Sequence, residues 1–147
     1  MSKPVVVIAS DHAGIDMKTQ IREALADLGH EVEDLGAHTP DSVDYPDYAA
    51  KVAHAIRENR ATRGVLICGT GIGISIAANR HAGVRAALCR DVTDARLARQ
   101  HNDANVLVLG ARTTGIEVAR DCLATFLGTD FEGGRHQRRI DKLDTLA

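Results

Sequence analysis

The chain has 147 residues, a length at which one domain buries a real core without disulfides. Hydrophobic residues make up 44%, charged residues 26% and the formal net charge is -2, an ordinary globular balance that argues against a broadly basic nucleic-acid binder. Aromatic residues are 3% with no Trp, which removes stacking platforms for nucleic acid, and no apolar run is long enough to span a bilayer.

In chain order, residues 4–9 (PVVVIA) form a continuous β-branched apolar run, which predicts a strand buried on both faces. A loop, Ser10-Asp11-His12-Ala13-Gly14, follows. Ile15, Lys18, Ile21, Leu25 and Leu28 recur at helical spacing, and Gly29 suits the helix stop. Residues 31–35 predict a second, edge-like strand. Residues 39–47 (TPDSVDYPD) are rich in Pro and Asp and predict a loop. Residues 48–59 predict a helix buried through Ala49, Val52, Ala53 and Ile56. Residues 65–68 (VLIC) predict the third strand and 72–80 a helix. A fourth strand follows at 85–89, a helix at 93–99, a fifth strand at 106–109 and a long helix at 113–127. The tail from Gly133 predicts a last, basic helix.

Strands alternating with helices predict an α/β fold, a Rossmann-like three-layer αβα sandwich around five parallel strands, in a single domain over 1–147. In such sheets ligands bind beyond the carboxyl ends of the strands, where strand order reverses. A strand order of 2-1-3-4-5 makes the first and third strands neighbours. The loops that follow them then line one crevice.

Those two loops hold the strongest chemical candidates. Residues 68–73 (CGTGIG) place a thiol at a strand end, ahead of glycines and a helix start. Gly69, Gly71 and Gly73 allow close backbone approach, and a helix start offers unpaired N–H groups and a favourable dipole for negative charge. The spacing is GxGxG rather than GxGxxG, no clear ribose-binding acid ends the second strand, and a P-loop lysine is missing, so a dinucleotide or Walker reading is weak. Cys68 differs by this position from Cys89 and Cys122, which read as core cysteines. The three form an odd set without CxxC spacing, so neither a disulfide framework nor a zinc site is expected; with no recognisable leader, a reducing cytoplasm is expected.

Asp11 and His12 end the first strand, where Asp11 can equally cap the next helix. Arg135, His136, Arg138 and Arg139 form a dense cationic group that reads either as a solvated face or as phosphate forks, which Arg112 could join. His101-Asn102 precede the fifth strand. That puts them at the opposite sheet edge, either as a structural turn or serving another subunit's site.

At these residues the chain resembles ribose-5-phosphate isomerase type B, a sugar-phosphate isomerase family that also includes allose- and galactose-6-phosphate isomerases. The similarity rests on SDHAG (10–14), DYPDYA (44–49), GVLICGTGIGISIAANR (64–80), RQHNDANVLVLGAR (99–112) and FEGGRHQRR (131–139). The resemblance implies a Rossmann-like fold, interconversion of ribose 5-phosphate and ribulose 5-phosphate, and no metal or organic cofactor. It also implies a homodimer, or a dimer of such dimers, with sites between subunits. Family members carry a cysteine before the GTG loop or a glutamate after it. Cys68 and Ile74 make this the cysteine type. By the same resemblance Cys68 is the proton acceptor and His101 the ring-opening acid. Asp11, His12, Gly69, Thr70, Gly71, Ile72, Gly73 and Asn102 bind substrate, and Arg112, Arg135 and Arg139 bind phosphate and substrate. An enediolate mechanism follows, with loop N–H groups of residues 70–73 as oxyanion donors and Thr70 positioning a hydroxyl. Allose 6-phosphate is the alternative substrate, and a non-catalytic sugar-phosphate sensor the alternative function.

Overall fold

The computed structural model describes residues 3–146. Its elements alternate along the chain: β1 (Lys3–Ser10), α1 (Ile15–Asp27), β2 (His30–Asp34), α2 (Tyr45–Arg57), β3 (Arg63–Cys68), α3 (Ile72–Ala78), β4 (Ala86–Leu88), α4 (Val92–Asn102), β5 (Val106–Gly110), α5 (Ile116–Gly128) and α6 (Arg135–Asp144). A 3-10 turn, His12–Gly14, joins β1 to α1. Among the described residues no helix is long and apolar enough to cross a membrane.

The five strands are all parallel, as the α/β alternation predicts. Their order is β2-β1-β3-β5-β4, which corrects the expected 2-1-3-4-5. The reason is burial. Every residue of β5 (VLVLG) is buried, whereas β4 is three residues long and only half-buried. A strand apolar on both faces belongs inside the sheet, and a short one tolerates the edge. β1 and β3 remain neighbours, as expected, and β5 now stands directly beside β3.

Alternation along the strands feeds two apolar layers. Val6, Ile8, Val65, Ile67, Leu107 and Leu109 face α1, α4 and α5, packing on Ile21, Leu25, Leu123 and Phe126. Val7, Ala9, Leu66, Val106 and Val108 face α2 and α3, packing on Val52, Ala53, Ile74 and Ala78. The predicted three-layer sandwich is therefore present. α6 buries only Ile140 and lies outside both layers.

The acid that ends the second strand, Asp34, has structural partners. Asp34 accepts from Lys18 Nζ at 2.8 Å, from Arg22 Nη1 at 3.1 Å and from the Gly36 N–H at 2.9 Å. Lys18 is only 3% exposed and also donates to the Ala37 carbonyl at 2.6 Å. Both carboxylate oxygens are thus engaged by the protein, which ties Asp34 to α1 and the residue 36 backbone. Burial pushes the Asp34 carboxyl up, but the Lys18 hydrogen bond, the Gly36 N–H and the charges of Lys18 and Arg22 outweigh it and hold it below its usual range.

Candidate active site

β3 carries Cys68 to the carboxyl edge of the sheet, where it is 4% exposed. Its Sγ accepts the Gly71 N–H at 3.2 Å, so the glycine loop folds back onto the sulfur. That fold needs Gly71 to be glycine. Its φ is +77°, and a Cβ there would fall 2.5 Å from Leu88 Cδ1. The Ile72 N–H is taken by Thr70 Oγ1 at 3.2 Å. The expected donor set of residues 70–73 is accordingly narrower than the sequence suggests: the loop N–H groups not used in these bonds are those of Thr70 and Gly73.

Because β5 adjoins β3, Arg112 joins this loop. The Arg112 N–H donates to the Gly69 carbonyl at 2.8 Å, and the Ala111 N–H donates to the Cys68 carbonyl at 2.9 Å. The guanidinium lies over Gly69, with Nη1 3.3 Å from where a Cβ at 69 would stand. A fixed positive charge therefore sits one residue from the thiol. Gly110, beside Cys68 in the sheet register, leaves room for the Thr70 backbone, whose carbonyl oxygen would be 2.6 Å from a Cβ at 110.

Asp11 and His12 stand at the end of β1, next to β3. The Asp11 N–H donates to the Ile67 carbonyl at 3.2 Å, and its carboxylate accepts the Ala13 N–H at 3.0 Å. Asp11 thus caps the turn and is buried. His12 Nδ1 accepts the Val43 N–H at 3.2 Å. Asp11, His12, Cys68, residues 69–73 and Arg112 are brought to one edge.

His101, Asn102, Arg135 and Arg139 are not there. His101 and Asn102 end α4, ahead of β5, at the amino edge of the sheet. β3 alone runs from Gly64 to Cys68 between the two edges, about 13 Å at strand rise. The His101 ring stacks on His136 at 4.4 Å between centroids, and its Nε2 is 3.6 Å from Glu132 Oε1. Partial desolvation, His101 and Arg135 lower the His136 pKa from its usual value. A cavity of about 830 Å3 beside β4 contains Asn102, Arg80, Arg85 and Asp144, away from Cys68. The candidate residues therefore fall into two groups at opposite edges.

Ile74, where the resemblance sets a glutamate as the alternative base, is fully buried in the same apolar cluster as Cys68. A carboxylate there would be desolvated, and Ile74 contributes packing alone. Tyr45 is a residue the sequence reading passed over. It opens α2, and its ring lies against Gly73.

Comparison with known proteins places the chain among sugar-phosphate isomerases. The family model for ribose/galactose isomerase matches residues 6–143. A ribose-5-phosphate isomerase B of Escherichia coli is 44% identical, over 96% of this chain and 95% of its own. A D-erythrulose-4-phosphate isomerase of Pectobacterium atrosepticum is 41% identical, over 94% and 91%. The crystal structure of a ribose 5-phosphate isomerase from Thermotoga maritima superposes with a TM-score of 0.95 at 53% identity, covering 97% of this chain and 99% of that one.

Proposed function

Because the chain belongs to the ribose/galactose isomerase family, we propose that it interconverts D-ribose 5-phosphate and D-ribulose 5-phosphate with Cys68 as the base. At the coarser level it is a sugar-phosphate aldose–ketose isomerase. The observation that carries the finer reading is the Cys68 sulfur on the Gly71 N–H, with the Arg112 guanidinium across Gly69.

The chemistry follows from these parts. Once the ring is open, Cys68 sulfur takes the proton from C2 of the aldose. The C–H electron pair becomes the C1=C2 bond, and the carbonyl pair moves onto O1 as an enediolate. Donors aimed at that oxygen lower the barrier, by about 3 kcal/mol for one well-placed N–H. The Thr70 and Gly73 N–H groups are the candidates, and the Thr70 hydroxyl positions a sugar hydroxyl. The proton then returns from Cys68 to C1, the C1=C2 pair forming that C–H bond, while the O2 proton passes to O1 and the O2–H pair closes the C2=O bond, which gives the ketose. Asp11, His12, Ile72 and Arg112 complete this side of the site.

Ring opening and phosphate binding fall to His101, Asn102, Arg135 and Arg139 in this reading, supplied by the second copy of a homodimer. The opposite-edge placement of the two groups supports that division. His101 suits proton delivery to the ring oxygen, since an imidazole can both give and take a proton. The arginines hold the phosphate away from the reacting carbons, so binding energy fixes orientation.

The test is direct. Wild-type protein given ribose 5-phosphate forms ketose, and Cys68→Ala loses at least about a hundredfold in kcat while still binding a phosphate ligand. Near-normal turnover by Cys68→Ala would sink the assignment. The Pectobacterium relative favours a second reading, a four-carbon sugar phosphate. Relative kcat/KM for ribose 5-phosphate, allose 6-phosphate and D-erythrulose 4-phosphate decides between them.

A further inference from the structure

The DYPDYA stretch (44–49) takes no part in the mechanism above. Its first tyrosine is nevertheless held in the site. Asp44 stands at the N-cap of α2 in extended conformation and Pro46 lies in the first turn, so the backbone on either side of Tyr45 is restricted. The ring rests on the glycine loop. A Cβ at Gly73 would fall 2.5 Å from Tyr45 Cζ and 2.8 Å from its hydroxyl oxygen. Residue 73 therefore has no side chain because the hydroxyl end of Tyr45 occupies that space.

The same segment reaches the other loop of the crevice. The Val43 N–H donates to His12 Nδ1 at 3.2 Å. A backbone N–H is only ever a donor, so Nδ1 is the acceptor and the neutral ring carries its proton on Nε2. His12 is thus presented as an N–H donor through Nε2, and residues 43–45 bridge the two loops that follow β1 and β3. Tyr45 is 39% exposed, although the chain spends few aromatic side chains on its surface. Its phenol is an amphipathic group beside the reaction loop, with an O–H that can donate or accept.

We infer that Tyr45 is a specificity-determining residue: its hydroxyl binds a hydroxyl of the open-chain sugar phosphate, and its ring on Gly73 sets how many carbons fit between the glycine loop and the phosphate. The inference rests on the isomerase reading above and adds the residue that selects among its substrates. A site built to hydrogen-bond a hydroxyl discriminates more sharply than apolar contact alone.

Tyr45→Phe and Tyr45→Ala, compared with wild type on ribose 5-phosphate, allose 6-phosphate and D-erythrulose 4-phosphate, test it. Tyr45→Phe keeps the ring on Gly73 and loses the hydroxyl. Its kcat/KM for ribose 5-phosphate falls about tenfold with unchanged thermal unfolding and elution volume. Tyr45→Ala raises the ratio of allose 6-phosphate to ribose 5-phosphate kcat/KM about tenfold by opening the wall. A ring that only packs, on Gly73 or on a second subunit, leaves Tyr45→Phe within about twofold of wild type, and that result overturns the inference. An equal loss on all three sugars in Tyr45→Ala overturns the selection of length. A wild type inert toward all three sugars removes the isomerase reading, and this inference with it.

Discussion

At the scale of single residues, the chain keeps its three thiols in two environments. Burial is the main cause that pushes Cys89 up to about 12 and Cys122 up to about 11, with the neighbouring Asp91 and Asp94 adding to it. Both thiols therefore stay protonated at neutral pH and are inert. Cys68 is the one cysteine at the crevice, with a backbone N–H on its sulfur and Arg112 nearby. Iodoacetamide at about pH 8 is expected to modify Cys68 ahead of the other two in the native protein, and ribose 5-phosphate to slow it. Peptide mapping by mass spectrometry checks this, and adducts on Cys89 or Cys122 at comparable rates would contradict it. Cys68 could be singled out from sequence because strand-end position is a local property. Tyr45 could not, since its contact with Gly73 depends on how α2 and α3 pack. The Val43–His12 bond spans 31 residues and leaves no local signature either. Ile74 was legible as a departure from the glutamate pattern, but only the packing showed it fully buried.

At the scale of elements, β5 decides the site. Its five buried residues put it beside β3, and that register brings Arg112 to Gly69. The large apolar residues of 106–109 (VLVL) already mark a two-sided buried strand, while 85–89 (RAALC) opens on a charge and carries two alanines. The order was therefore readable in principle, and the sequence reading missed it by taking the strands in chain order. The helix over 15–28 was legible from its 3.6-residue period, including Lys18 on the inner face. What that lysine does there was not, because its partner Asp34 sits on another element. The Lys18–Asp34 pair fixes α1 against the end of β2 and the 36–37 backbone, which in turn bonds Ser10. Asp34 is held below its usual 3.8, so its contribution is complete above that value and is lost as pH falls through the lower folded value. Asp34→Asn is expected to destabilise by on the order of 2–3 kcal/mol at neutral pH, by leaving Lys18 without its charge partner. The gap to wild type should narrow as urea unfolding is repeated from about pH 5 down to about pH 2. A gap that stays constant over that range would contradict the pairing.

At the scale of the whole molecule, one chain carries its candidate residues in two separate groups. Cys68, the glycine loop, Asp11, His12 and Arg112 occupy the carboxyl edge of the sheet, and His101, Asn102 and the α6 arginines the other end. The parallel topology makes this separation legible in the sequence, because residues just before a strand and residues just after one fall at opposite edges. What no single chain can encode locally is the surface that would bring a second copy into place. The proposed dimer supplies that surface, and it makes a sharp demand on mixed assemblies. In the proposed dimer, Cys68→Ala and His101→Ala are each expected to disable every site of their own homodimer. A heterodimer of the two pairs intact Cys68 from one copy with intact His101 from the other in one of its two sites. Co-expressing the variants with different tags, purifying the heterodimer and assaying ribose 5-phosphate isomerisation should recover about half of the wild-type activity. A heterodimer as inactive as both parents would contradict a Cys68 site completed across subunits.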